Sequence, residues 1–163
     1  MKALIITASK HGSTAEIGGV IGEVLLEHGV ETDVLGPEAV SSLHRYDVAI
    51  LGSAVYAGHW MKSMRELAER FAEELAARPV WLFSSGPIGD PPKPDEDPVD
   101  VAVLETTVAR GHVVFAGKID KSRLGFGERA IVSALKVPEG DFRDWEDIRR
   151  WATGIAQELK TKV

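Results

Sequence analysis

Three short segments of this chain carry residue types whose spacing suits ligand chemistry. The first, Ser9, Lys10, His11, Gly12, Ser13 and Thr14, follows a short apolar run and precedes an amphipathic one. A helix starting there presents unpaired N–H groups and a partial positive charge, with the hydroxyls of Ser9, Ser13 and Thr14 around it and Gly12 allowing close backbone approach. Such a site suits a phosphate monoester. A charge-assisted hydrogen bond contributes about 1.5–3 kcal/mol and the helix dipole about 0.3–1 kcal/mol, so several donors suffice without an arginine clamp. In this reading Lys10 adds a point charge and His11 covers the loop. The same residues also fit a plainer role, in which Ser13 or Thr14 simply caps the helix.

The second segment, 52–60 (GSAVYAGHW), combines small residues and glycines with two aromatics. That is the composition of a flat slot in which Tyr56 or Trp60 stacks on a planar ring, although each aromatic taken singly also fits core packing. In the third, 84–90 (SSGPIGD), Gly86, Pro87 and Gly89 hold backbone amides in a fixed turn, which on its own needs no ligand.

Several chemistries have no carrier. Neither GxxxxGK[ST] nor GxGxxG occurs, which disfavours a nucleoside triphosphate or a dinucleotide in the usual modes, and GxSxG is absent too. The chain has no cysteine, which removes disulfides, thiolate metal sites and cysteine nucleophiles. No two of its five histidines stand at i,i+3 or i,i+4, so no metal site is expected. His44 and His112 read as surface residues, His28 suits a helix carboxyl end, and His11 and His59 fall in the candidate loops.

The elements that must position these loops alternate. Apolar runs at 2–8, 47–52, 79–84 and 112–116, with a shorter one at 30–35, predict five strands of a parallel sheet. Helical periodicity predicts helices at 13–28 (Ile17, Val20, Ile21, Val24, Leu25) and 64–75 (Met64, Leu67, Ala68, Phe71, Ala72, Leu75). Asp97 and Pro98 read as the opening of a helix that ends near Gly111, and Asp144 with Asp147 opens the last one. The Pro- and Asp-rich stretch 90–98 reads as an exposed loop. Strands interleaved with helices and joined by right-handed crossovers make a doubly wound α/β sandwich, whose ligand crevice lies outside the carboxyl ends of the strands. All three candidate segments leave those ends.

At 163 residues with no linker in evidence, one domain spanning 1–163 is expected. The formal charge of -6 argues against sequence-independent nucleic-acid binding. No apolar run approaches the roughly 18 residues of a membrane-spanning helix, and the amino terminus lacks a secretory pattern, so a soluble cytoplasmic protein is expected. Residues 118–136 differ in character: Lys118, Lys121, Arg123, Arg129 and Lys136 stand against Asp120 and Glu128, among Leu124, Phe126, Ile131, Val132 and Leu135. This stretch suits either an ordinary packed helix with a solvated face or a surface that receives an anionic partner or lies against a membrane.

The arrangement of SKHGST, GSAVYAGHW and SSGPIGD on five alternating strands resembles the flavodoxin family. Within it, the ASKHGST loop, Phe115-Ala116-Gly117 and 140–151 (GDFRDWEDIRRW) are most similar to the flavodoxin-domain proteins grouped with menaquinone-dependent protoporphyrinogen oxidase. The resemblance implies a three-layer sandwich with a five-stranded parallel sheet in the order 2-1-3-4-5, and FMN as cofactor. It implies that Ser9, Lys10, His11, Gly12, Ser13 and Thr14 take the FMN phosphate. Ala54, Val55, Tyr56, Ala57 and Gly58 would flank one side of the ring, and Ser85, Gly86, Pro87, Ile88 and Gly89 the other. His11 stands where flavodoxins usually carry a threonine, and Gly86-Pro87 departs from the oxidase pattern. The implied partners are a redox protein or a small quinone or porphyrin, with peripheral membrane contact through 118–136. Three readings therefore stand side by side: an FMN-dependent oxidoreductase, a flavodoxin-type electron carrier, and a flavin-free interaction module. No residue is assigned to catalysis.

Overall fold

A computed structural model describes residues 1–9, 12–56, 59–86, 101–115, 118–119, 140–141 and 143–161, with backbone alone at 56, 101–102, 118–119 and 140–141. The apolar runs form strands β1 (Lys2–Ala8), β2 (Glu31–Leu35), β3 (Val48–Tyr56), β5 (Val80–Ser85) and β6 (Gly111–Phe115), with a two-residue strand β4 (His59–Trp60) after β3. The helices are α1 (Ser13–Glu27), α2 (Lys62–Arg70), α3 (Ala72–Ala76), α4 (Val101–Thr107) and α5 (Trp145–Thr161), with a 3-10 turn at Pro37–Ala39. Lys118–Ile119 and Gly140–Asp141 pair antiparallel as β7 and β8.

The main sheet runs β2-β1-β3-β5-β6, all parallel, and β4 pairs antiparallel with β3. Counted without that short return strand, this is the expected order 2-1-3-4-5. Helices cover both faces, which is why β1 and β5 read as unbroken apolar runs. On one face Ile17, Ile21 and Leu25 of α1 join Ile148, Ala152 and Ile155 of α5 over Ile5, Ile50 and Phe83. On the other, Met64 and Leu67 of α2, Leu75 of α3 and Val103 of α4 pack over Leu4, Leu51 and Leu82. Gly18 lets α1 lie close to the sheet, since a Cβ there would stand 2.6 Å from the Thr7 methyl.

Three stretches differ from the periodicity-based expectation. Strand β3 runs on to Tyr56 because the expected loop folds back as a hairpin, its Val55 and Tyr56 pairing with Trp60 and His59. The stripe at 64–75 is two helices, broken at Phe71 (φ -105, ψ 25), where apolar spacing carries no information about the local bend. The helix before β6 ends at Thr107, with Val108 in the left-handed region (φ 51), rather than near Gly111. Its expected cap at Asp97 and Pro98 lies outside the described residues, as does the 90–98 loop. The last helix begins as expected, the Asp147 N–H donating to Asp144 Oδ1 at 3.1 Å.

At the β2 side of the sheet, the Tyr46 hydroxyl donates to Asp33 Oδ2 at 2.7 Å and Lys2 Nζ lies 3.2 Å from the same oxygen. The Tyr46 hydrogen bond, then Lys2, holds the Asp33 carboxyl below its usual value, and the same bond raises Tyr46. A depressed carboxyl contributes stability that is present above its unfolded value of 3.8 and lost as pH falls through the folded one. A raised phenol contributes stability that is present below 10.0 and lost as pH climbs past its folded value. Tyr46→Phe should therefore flatten the acid limb of stability, read as urea midpoints from neutral pH down to below the carboxyl's ordinary value of 3.8. An acid limb identical to the parent's would show that this bond does not couple folding to protonation.

Candidate functional site

The register brings the strand ends to one level. Ala8, Ser53, Ser84 and Val114 align across β1, β3, β5 and β6, and Ala54, Ser85 and Phe115 stand one residue further on. Adjacent strands lie roughly 4.8 Å apart, so the segments leaving β1, β3 and β5 emerge side by side. After β1 the chain passes to α1 on one face, and after β3 to α2 on the other. The order reverses between these two strands, which opens a crevice at their carboxyl ends.

At the β1 side, Gly12 (φ +86) takes a left-handed conformation that a side chain would strain. Its N–H donates to Ser9 Oγ at 2.9 Å, and its carbonyl accepts the first helical bond, from the Glu16 N–H at 3.1 Å. The N–H groups of Ser13, Thr14 and Ala15 therefore have no acceptor within the helix. Gly12 is itself the N-cap and no side chain caps the helix, so the plainer role for Ser13 and Thr14 does not hold. The Thr14 side chain is 0% exposed, and its Oγ1 has no hydrogen-bond partner among the described residues. Leaving such a group unpaired costs about 1–3 kcal/mol, a penalty that an incoming acceptor removes. Free N–H groups beside an orphaned hydroxyl fit an anionic group with several acceptor oxygens.

At the β3 side, Ala54 is buried and Val55 half-buried. Trp60 is not available to stack on a ligand: it is 2% exposed, packs with Leu51 and Met64, and donates its indole N–H to Ser84 Oγ at 2.8 Å. Ser53 Oγ accepts the Met61 N–H at 3.0 Å and donates to the Ala54 carbonyl, tying the hairpin to the start of α2. His112 is also not a plain surface residue, because its Nε2 stands 2.8 Å from the buried Ser84 Oγ, itself already held by Trp60. At the β5 side, Ser85 is buried, and the buried Gly86 turns the chain with φ +82, its N–H donating to the Phe115 carbonyl at 2.9 Å.

The structure thus brings together Ser9, Gly12, Ser13, Thr14, Ala54, Val55, Ser85 and Gly86 at one sheet edge. Lys10, His11, Ala57, Gly58, Pro87, Ile88, Gly89, the Tyr56 side chain and most of 118–136 lie outside the described residues. Sequence reasoning missed Arg143, whose side chain is 4% exposed and whose Nη1 pairs with Glu16 Oε2, in the first turn of α1, at 2.7 Å. A separate groove of about 590 Å³ runs between β6 and α5, lined by Trp81, Val113, Phe115 and Trp151, and includes none of the first-turn groups of α1. Among the described residues, no helix is long and apolar enough to cross a membrane.

Comparison with known proteins agrees with this fold. A family profile for the flavodoxin domain matches residues 4–145. The chain is 23% identical over 172 aligned residues to a protein of Escherichia coli K12 named protoporphyrinogen IX dehydrogenase [quinone], covering 96% of this chain and 95% of that one. Among solved structures it is similar to an archaeal flavodoxin (TM-score 0.61, 18% identity, 98% and 99% of the two chains covered). It also matches rubredoxin:oxygen oxidoreductase of Desulfovibrio gigas (TM-score 0.65, 14% identity), covering 99% of this chain and 36% of that one.

Proposed function

Because this chain belongs to the flavodoxin domain family, we propose that it is an FMN-binding redox protein. The observation that carries this reading is the buried, unpartnered Thr14 hydroxyl beside the free N–H groups that open α1. Ser9, Gly12, Ser13 and Thr14, with Lys10 and His11, hold the phosphate, replacing water around a dianion with fixed donors. Ala54, Val55, Tyr56, Ala57 and Gly58 flank one side of the ring, and Ser85, Gly86, Pro87, Ile88 and Gly89 the other. Bound there, FMN supplies reversible electron transfer, while the chain supplies binding, orientation and exclusion of water.

Its finer activity is an oxidoreductase of the protoporphyrinogen/quinone type. The likeness to the E. coli dehydrogenase supports this, since it extends over 96% of the chain, beyond the sheet and its loops. In this reading a quinone or porphyrin is the small-molecule partner, and the basic, partly apolar residues 118–136 bring the protein against the membrane that holds it. Steady-state assays with quinone acceptors separate this enzyme from an electron carrier: turnover is expected, and its absence in a flavin-loaded protein assigns the carrier role. The cofactor itself is tested by the visible spectrum of the purified protein, before and after added FMN, with the released compound identified by mass. Yellow protein yielding FMN is expected. A colourless preparation that takes up no FMN would leave only the fold.

A further inference from the structure

The first turn of α1 carries a negative charge of its own. Glu16 is the fourth residue of the helix, and helical side chains lean toward the amino terminus, so its carboxylate sits within about one turn of the N–H groups proposed to hold the phosphate. An acid there is attracted by the same positive helix end that would receive a dianion, and it repels that dianion. The structure answers this charge with Arg143. The guanidinium is almost wholly buried, its Nη1 is 2.7 Å from Glu16 Oε2, and it lies over the Trp145 ring at 4.6 Å from the centroid. Its backbone immediately precedes Asp144, the residue that caps α5, so the start of that helix fixes where the arginine stands.

We propose that Arg143 is a positioning residue of the phosphate cradle: by pairing with Glu16 it cancels the one acidic charge of the first turn and lets that turn accept a phosphomonoester dianion. The inference rests on the FMN reading above but adds a group that touches neither the phosphate nor the ring. It predicts a charge effect confined to the phosphate. A structural role of the arginine would instead weaken FMN and riboflavin together.

The test is fluorescence titration of the apoprotein with FMN and with riboflavin in four forms: parent, Arg143→Met, Glu16→Gln, and the double variant. Arg143→Met should weaken FMN roughly tenfold or more while leaving riboflavin within about twofold, and the loss should shrink at high salt. Adding Glu16→Gln to Arg143→Met should restore most of the FMN affinity, because the uncompensated acid is gone. Glu16→Gln alone, at a half-exposed side chain that folding tolerates, should tighten FMN, which keeps the idea testable even if Arg143→Met does not fold. Equal loss of both ligands, failure of Glu16→Gln to restore binding, or a single Glu16→Gln that leaves FMN unchanged would each overturn the proposal. A parent protein that binds riboflavin as tightly as FMN would instead remove the phosphate reading itself, and this inference with it.

Discussion

Thr14→Val is expected to make the apoprotein more stable and its FMN complex weaker. The substitution keeps the β-branched shape and replaces a hydroxyl that is fully buried and unpartnered with a methyl. Removing an unsatisfied buried hydroxyl should recover about 1–2 kcal/mol, a rise of roughly 2–8 °C in Tm for a chain of this size. The same change deletes a charge-assisted bond to the phosphate, about 1.5–3 kcal/mol or roughly 10- to 150-fold in Kd, with riboflavin hardly affected. Adding Ser13→Ala should deepen the FMN loss by a similar step. Thermal unfolding without ligand and titration with both flavins measure the two arms. If the variant is less stable and binds FMN unchanged, Thr14 Oγ1 is paired within the protein and is no part of a cradle. Opposite signs in the two arms are what a functional site predicts, since a group kept unsatisfied in the empty protein is set aside for its ligand.

Gly52→Ala is expected to cost about 3 kcal/mol or more, a large share of the roughly 5–15 kcal/mol that holds a domain together. A Cβ built at Gly52 would stand 2.0–2.4 Å from three atoms of the Phe83 ring, closer than nonbonded carbons approach. The ring has nowhere to go: Phe83 is 0% exposed, with Phe115 and Trp151 each 6.0 Å away between centroids and packed edge-on to each other at 5.6 Å. Gly52 pairs with Thr7 on one side and Phe83 on the other, directly before Ser53 and Ala54. A shift of β3 therefore reaches the candidate site as well as the core. Phe83→Leu in the same chain should relieve much of the cost, so that the double variant is more stable than the sum of the singles. Urea unfolding of the four forms decides it. A cost under about 0.5 kcal/mol, or strict additivity, would mean that the sheet accommodates the methyl elsewhere.

Both predictions turn on features of different legibility. The opening of α1 at Gly12–Ser13 is legible because hydroxyls and a glycine at the junction of an apolar run and a periodic one have a local meaning, the start of a helix whose free N–H groups suit an anion. That Thr14 does not cap the helix is not legible in the sequence, since a hydroxyl's partners are set by what surrounds it. Gly52 stands in the sequence only as the end of an apolar run and the start of the 52–60 segment; its requirement comes from Phe83, on a neighbouring strand. Trp60 and Ser84 are 24 residues apart and Ser84 and His112 are 28 apart, so no spacing rule could have pointed from one to the other. Arg78 is a further case: its guanidinium donates to the carbonyls of Leu43, Tyr46 and Glu74 and fastens the 41–47 segment to the end of α3, while its sequence context is only that of a charged residue near a helix end.

By itself the amino-acid order determined the parallel α/β architecture, the five main strands and the sheet edge at which the three candidate segments gather. Apolar periodicity and helix-end chemistry act within a few residues and survive in one dimension. Only the tertiary structure decided which polar groups are left unpaired, which glycine must stay bare, and that Arg143 sits against Glu16 from 127 residues away. Those outcomes depend on burial and on distances across the sheet, which exist only once the layers have closed on each other.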